Sequence, residues 1–241
     1  MHNAFNEHVI SEVTRAFRKI ENIKPDLRAV LLRANGTSFS AGADLTWMKK
    51  MVNYTREENE RDAHQLFEMF EAIHNCPVPV IGRINGSAIG GGAGMVACCD
   101  ISYSVASAKF GFTEVKLGLI PAVISPFVME KIGRSNCSRY FLTGEKFSSE
   151  VAKSIQLISD YFPDEKTMEE HVDNTLKEIS NSSPAAVRSA KSLIRNVSNM
   201  VIGDKSTMLY VAEQIARIRI SKGGQEGLAA FLEKRKPSWN N

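Results

Sequence analysis

Apolar residues recur at intervals of three and four along much of the chain, which is the spacing of an amphipathic helix. The first such stretch spans residues 8–20, where Val9, Val13 and Phe17 share one face. The same periodicity predicts further helices at about 56–75, 92–99, 122–132, 165–180, 184–197 and 204–221. We expect a last short helix after Gly223–Gly224, because paired glycines punctuate helices.

Short runs rich in leucine and β-branched residues lie between the first helices and predict buried strands. These runs are Leu27–Leu32, Val78–Ile84, Ile101–Val105 and Lys109–Phe112. Strands that alternate with helices and are followed by helices alone indicate an α/β core with a helical tail. We assign residues 1–182 to the core and 183–241 to the C-terminal helical region of the same domain. The pattern leaves open whether that region forms a small subdomain or docks on another subunit.

Composition narrows the class of protein. The 241 residues are 43% hydrophobic and 24% charged, with a net charge of +3, so no nucleic-acid partner is expected. The basic run at 234–236 fits either a solvated tail or a phosphate contact. The longest apolar stretch, Leu117–Met129, contains two prolines and is shorter than the roughly 20 residues of a membrane span. We therefore expect no membrane segment.

Neither the cysteines nor the histidines are spaced as metal ligands. The four cysteines, at 76, 98, 99 and 137, contain no Cys-x-x-Cys pair, and we expect no disulfide framework. A reducing cytoplasm fits this usage. Neither a metal nor a redox cofactor is predicted.

Two small-residue loops follow predicted strands and precede helices. The first, Asn35–Leu45, contains Phe-Ser-Ala-Gly-Ala-Asp, with Asp44 placed to cap a helix. The second, Asn85–Gly94, contains three consecutive glycines, which cost backbone entropy unless close packing or a ligand compensates. Both loops could present backbone N–H groups to a ligand, or could only satisfy turn geometry. The second is no dinucleotide fingerprint, because its glycines begin too far after the strand.

A single carboxyl group stands out in the third segment, Lys109–Pro121. Glu114 lies at the end of a predicted strand among apolar neighbours. A carboxyl group in such surroundings has a raised pKa and can exchange protons near neutrality. The alternative is a surface glutamate paired with Lys116.

These three segments, in this order, resemble the enoyl-CoA hydratase/isomerase (crotonase) family over nearly the whole chain. The resemblance implies an α/β, crotonase-like (ClpP/crotonase) spiral of ββα units with a helical C-terminal region. It also implies an oxyanion hole for a thioester carbonyl, built from the backbone N–H groups of Ala41 and Gly91. Such a site stabilises an enolate. Homotrimers or dimers of trimers are usual in this family.

One departure from the family concerns its two glutamates. Glu114 matches the second, whereas the first aligns with Gly94. Three reactions stay open: hydration in which Glu114 handles both water and proton, Δ3,Δ2-enoyl-CoA isomerisation by one base, or another enolate reaction. A member that only binds acyl-CoA or RNA is the alternative from another class.

Local matches favour hydration of a short or branched 2-enoyl-CoA. Residues 45–48, 90–94 and 114–126 are similar to a bacterial branch labelled methylglutaconyl-CoA hydratase-like or gamma-carboxygeranoyl-CoA hydratase-like. That branch implies 3-methylglutaconyl-CoA as substrate and a place in leucine or acyclic terpenoid catabolism, beside fatty acid metabolism in the wider family.

The resemblance also implies where coenzyme A binds as part of the substrate. The residues expected to contact it are Ala4, Phe5, Ser40, Ala43, Asp44, Gly90, Lys234 and Lys236. Family members usually carry a β-hairpin before the segment that resembles His2–Phe5. We expect that hairpin to be missing here, through a late start or a shortened chain, and a sheet edge to be exposed as a result.

Overall fold

The computed structural model describes residues 2–20 and 27–240. Its helices are α1 (Glu7–Ile20), α2 (Leu45–Met51), α3 (Arg56–His74), α4 (Gly91–Cys98), α5 (Ser125–Thr143), α6 (Ser149–Ser154), α7 (Glu165–Ser180), α8 (Pro184–Val197), α9 (Lys205–Arg219) and α10 (Lys222–Leu232). Its strands are β1 (Val30–Arg33), β2 (Ser38–Ser40), β3 (Val80–Ile84), β4 (Ser87–Ile89), β5 (Ile101–Val105), β6 (Lys109–Gly111), β7 (Lys146–Ser148) and β8 (Asp160–Phe162). Single 3₁₀ turns lie at Glu114–Leu117 and Ser238–Asn240.

The strands form two four-stranded sheets that the chain visits in turn. One sheet has the order β1-β3-β5-β8 and is parallel throughout. The other has the order β2-β4-β6-β7, in which only the β6–β7 pair is antiparallel. Each strand of the first sheet up to β5 is followed by one of the second and then by helix. This repeat is the predicted spiral of ββα units, and the α/β fold class is confirmed.

The described residues fall into two compact units. The first contains residues 2–20, Val30–Cys76 and Val80–Val172, and includes both sheets. The second contains residues 27–29, Pro77–Pro79 and 173–240, and is helical from α8 onward. In it, the Arg28 guanidinium donates to the carbonyl oxygens of Ser180, Ser182 and Trp239.

The predicted helices and strands exist, with shifted ends. Strand β1 begins at Val30, three residues later than predicted, and β3 begins at Val80, two residues later. The sixth strand ends at Gly111, so Glu114 lies on the 3₁₀ turn that follows and not at a strand end. Helix α5 continues to Thr143, across Gly133, whose φ of +73° interrupts the helical geometry.

The break between the last two helices lies at residues 220–221, three residues before the predicted Gly223–Gly224. The glycines lie inside α10, and Ser221 caps that helix by accepting a hydrogen bond from the Gly224 N–H at 3.0 Å. A Cβ atom at position 224 would lie 2.1 Å from the carbonyl oxygen of Ile218. The glycine therefore allows the close approach of two successive helices and does not separate them.

Candidate active site

The first loop is held by hydrogen bonds made by its own residues. The hydroxyl of Ser40, which is buried, donates to the Asn3 carbonyl oxygen at 2.8 Å and accepts from the Gly42 N–H at 3.2 Å. Asp44 accepts from the N–H groups of Thr46 and Trp47, so its predicted role as the N-cap of α2 is confirmed. Ser40 and Asp44 thus shape the loop through side-chain contacts within the protein.

The prediction for Ala41 needs a correction. Its N–H donates to the carbonyl oxygen of His2 at 3.0 Å, so this donor is already engaged. The candidate donor two residues further along the loop is the backbone N–H of Ala43. This residue is exposed and forms a parallel β-bridge with Phe5. In that bridge, the Phe5 N–H donates to Gly42 and the Asp44 N–H donates to Phe5. A parallel ladder bonds alternate residues on one side, so the Ala43 N–H points away from Phe5.

The second loop leads into α4, and this helix begins close to the first loop. Gly90 has a φ of +56° and precedes the helix without a capping side chain. Gly91 is the first helical residue, and the first N–H groups of a helix have no partner within it. These donors also carry the positive end of the helix dipole. A developing anion beside Gly91 would be stabilised by both effects.

The two loops touch. A Cβ atom at Gly42 would lie 2.9 Å from the carbonyl oxygen of Ile89. One at Gly92 would lie 2.8 Å from both Cβ and the carbonyl oxygen of Ser40. Small residues at 40–43 and 90–92 therefore let two main chains approach closely, which is one of the two explanations that the sequence left open for the glycines.

Glu114 stands beside the start of α4. Its Oε1 would lie 3.0 Å from a Cβ atom at Gly90, where glycine has none. Its Oε2 is buried, and no described residue hydrogen-bonds to it. Burial raises the pKa of the Glu114 carboxyl, and a hydrogen bond from its own backbone opposes the shift. No ion pair with Lys116 is present among residues 2–20 and 27–240. The carboxyl has the setting of an acid–base group.

Apolar atoms occupy the place of the family's first glutamate. A Cβ atom at Gly94 would lie 2.5 Å from Cγ2 of Ile124 and 3.2 Å from Cε1 of Phe70. Both side chains are buried, Phe70 at 0% exposure and Ile124 at 3%. Sequence reasoning missed these two residues, since they lie 24 and 30 positions from Gly94 and neither carries reactive chemistry.

Phe5 and Ala4, two of the residues predicted to contact coenzyme A, lie beside the first loop. The Phe5 ring is buried against Gly91, where a Cβ atom would lie 2.6 Å from its Cε2. Both backbone polar groups of Phe5 bond to the loop, and its predicted contact with coenzyme A stays a prediction. Ala4, half-buried, stays a predicted contact.

Lys234 and Lys236 lie in the second unit and are exposed. Between them, Arg235 pairs with Glu226 and Glu233. The pairing with Arg235 lowers the pKa of Glu226 to about 2. The predicted contact of Lys234 and Lys236 with coenzyme A stays a prediction.

No helix of the described ranges is long and apolar enough to cross a membrane. Nor do residues in those ranges form a cluster of three His, Cys, Asp or Glu able to hold a metal ion. The site consists of main-chain donors and one carboxyl.

Solved structures share this architecture. A Legionella pneumophila protein described as an enoyl-CoA hydratase/isomerase (crotonase) superposes with a TM-score of 0.92 at 44% identity, over 99% of this chain and 91% of that one. An enoyl-CoA hydratase from Shewanella pealeana gives a TM-score of 0.93 at 39% identity, over 99% and 88%. The fold and the site thus define an α/β protein of the crotonase architecture.

Sequence comparison agrees. The family model for enoyl-CoA hydratase/isomerase matches residues 1–241. A Thermus thermophilus relative whose name assigns it to the enoyl-CoA hydratases is 32% identical over 213 residues, covering 88% of this chain and 83% of the relative. The chain belongs to the enoyl-CoA hydratase/isomerase family.

Proposed function

We propose that this family member hydrates a short or branched 2-enoyl-CoA. The observation that carries the proposal is the part-buried Glu114 carboxyl, which lies beside the start of α4 and its backbone donors, and these donors suit a thioester oxygen. The specific substrate that we propose is 3-methylglutaconyl-CoA, which would connect the protein with leucine degradation. All four cysteines are buried thiols, which suits the cytoplasm as the compartment.

The oxyanion hole that we propose pairs the N–H groups of Gly91 and Ala43. Ala43 replaces Ala41 because the Ala41 N–H is bonded to His2. Addition of water at C3 leaves an enolate whose charge collects on the thioester oxygen. Two fixed N–H donors stabilise that charge by hydrogen bonds. Removing one such donor typically raises the activation barrier by about 2.7–4 kcal/mol.

Glu114 would act as the general acid–base group. Its carboxylate takes a proton from water as the oxygen attacks C3, and the resulting acid protonates C2. Main-chain donors and this carboxyl suffice for the scheme, so it calls on no metal or redox cofactor.

Coenzyme A phosphates would pair with Lys234 and Lys236, which as ammonium groups bind phosphate as point charges. Replacing both by alanine should raise KM for coenzyme A thioesters. KM for the matching pantetheine thioesters, which lack the adenosine phosphates, should not change. An equal rise for both substrates would remove the lysines from this role.

Self-association as a homotrimer or dimer of trimers is supported by apolar side chains on the second unit. Ile202, Ile220 and Phe231 are 98%, 80% and 81% exposed. Where exposed apolar side chains form a contiguous patch, they mark an interaction site, and these three are the candidates for one. Phe231→Glu should lower the molar mass seen by light scattering, whereas Ser206→Glu, of equal charge change on an exposed polar residue, should not.

The function is tested by following absorbance of the conjugated thioester with 3-methylglutaconyl-CoA, crotonyl-CoA and a 3-enoyl-CoA. Loss of absorbance with the first two that disappears in Glu114→Gln would support a one-glutamate hydratase. The single carboxyl also favours a second candidate, Δ3,Δ2-enoyl-CoA isomerase, which a rise in absorbance with the 3-enoyl-CoA alone would select. Acyl-CoA binding without turnover of any substrate would indicate a binding protein.

A further inference from the structure

Gly90 and Gly94 lie one helical turn apart at the start of α4. The Gly94 N–H donates to the carbonyl oxygen of Gly90, the residue that precedes the helix, at 3.1 Å, so the two positions are neighbours across the first turn. The Cβ position of Gly90 faces Oε1 of Glu114 at 3.0 Å. A carboxylate side chain at position 94 would therefore reach the neighbourhood of the Glu114 carboxyl.

Ile124 takes that space. Its Cγ2 and Cβ would lie 2.5 and 3.0 Å from a Cβ atom at position 94, well inside ordinary van der Waals contact. Its backbone is fixed at the start of α5, where its carbonyl oxygen accepts from the Val128 N–H at 3.0 Å. A buried side chain on a fixed backbone cannot move aside cheaply.

We propose that Ile124 determines the reaction course by excluding a second acid–base group from position 94, so that Glu114 carries out both proton transfers of the hydration. This inference rests on the proposed function. In the step, the water O–H bond breaks and its proton goes to Glu114 while the oxygen bonds to C3 and the C2=C3 π pair moves to the thioester oxygen as an enolate. The enolate then collapses, C2 takes the proton back from Glu114, and the carboxylate is regenerated.

The charged groups near Glu114 have other partners or point outward. Helix α4 carries no carboxylate or ammonium group. On α5, Lys131 donates to the carbonyl oxygens of Cys99 and Asp100, and Arg139 pairs with Glu145. Also on α5, Glu130 pairs with His74. Lys116 on the 3₁₀ turn and Lys109 on β6 are exposed. The titration of Glu114 should accordingly stand alone in the acid range.

When catalysis requires only that one carboxylate be ionised, the pH profile of kcat/KM has a single rising limb. We expect kcat/KM to rise once with pH through the raised pKa of Glu114 and then to stay level toward neutrality. A site with two carboxyl groups, one ionised and one protonated, gives a bell because the pair titrates in two steps.

The test uses variants at positions 94 and 124 together. Gly94→Ala should lower Tm when Ile124 is present and leave or raise it in the Ile124→Ala background, where the methyl group fills vacated space. The double variant Gly94→Glu with Ile124→Ala should fold and add a falling limb to the pH profile of kcat/KM. Gly94→Gln with Ile124→Ala, the matched neutral control, should keep the single limb.

Two results would overturn the proposal: Gly94→Ala that lowers Tm equally in both backgrounds, or a folded Gly94→Glu, Ile124→Ala variant whose profile matches the glutamine control. Failure of the proposed function is recognised separately. In that case the unchanged chain does not hydrate a 2-enoyl-CoA, or Glu114→Gln keeps its full hydration rate, whatever the Tm values of the position-94 variants.

Discussion

Gly91→Ala is a stringent test of the site, because one methyl group meets the residue that holds the first loop. The new Cβ would lie 2.6 and 2.9 Å from Cε2 and Cδ2 of Phe5, against about 3.5–4.0 Å for carbon atoms in contact. The Phe5 ring must shift by about 1 Å to restore that contact. It has little room, since it is 3% exposed and packs edge-on against Phe70 with ring centroids 6.4 Å apart.

Two opposing terms set the stability change. Overpacking a core position costs about 1–3 kcal/mol. Alanine gains up to about 1 kcal/mol over glycine in a helix interior, and less at a first helical residue. We therefore expect Gly91→Ala to lose between about zero and 3 kcal/mol of unfolding free energy. The measurement is urea unfolding followed by tryptophan fluorescence.

Activity should fall further than stability. The Phe5 backbone bonds to Gly42 and Asp44 on either side of Ala43, so a shifted Phe5 moves the loop donor. A misplacement of about 1 Å can cost about 10²-fold in rate. Adding Phe5→Leu should relieve the contact and recover part of kcat/KM. Wild-type activity in Gly91→Ala, or no recovery in the double variant, would refute this account of the oxyanion hole.

Three other changes probe single groups. Glu114→Gln should cut turnover by at least about 10² with acyl-CoA affinity kept, as rate and binding assays would show. Asp62→Asn should raise Tm at neutral pH. Burial raises the pKa of Asp62, so its ionised form opposes folding, and the gain should vanish below the ordinary carboxyl pKa; an unchanged Tm at pH 7 would contradict this. Ser40→Ala should lower Tm and slow catalysis, because it leaves the buried Gly42 N–H without its acceptor.

Long periodic segments were predictable because their signal is local. Helices α1 and α3 and strand β5 lie within one residue of the predicted bounds. Each helix is defined by more than ten residues of periodic pattern. Strand β5 was recognised as a short run that contains β-branched residues, because a buried strand does not need alternating polar and apolar residues. Strands β2 and β4 were missed because three residues show no period. Their pairing comes from contacts with each other and with β6.

Some residues of the candidate active site were likewise predictable from local sequence, and others were not. Glu114 and the start of α4 were visible because a lone carboxyl in an apolar run and a triple glycine are unusual on their own. The choice between Ala41 and Ala43 was not visible. It depends on which N–H is taken by His2 and how Phe5 bonds to the loop, and both partners lie more than 35 positions away in sequence.

Three glycines at the start of α4 serve different ends although they lie within five residues of the sequence. Gly90 leaves space for the Glu114 carboxyl, Gly91 leaves space for Phe5, and Gly94 leaves space for Ile124. Each missing Cβ is thus matched by a side chain from another element, two of them apolar and only one ionisable. A helix start that lacks side chains leaves its N–H groups accessible to a ligand. The side chains of the neighbouring elements then determine which reaction the site can catalyse. Here the surroundings supply one carboxyl on one side and hydrocarbon on the others, so the reaction of this chain should depend on Glu114 more completely than in a two-carboxyl site.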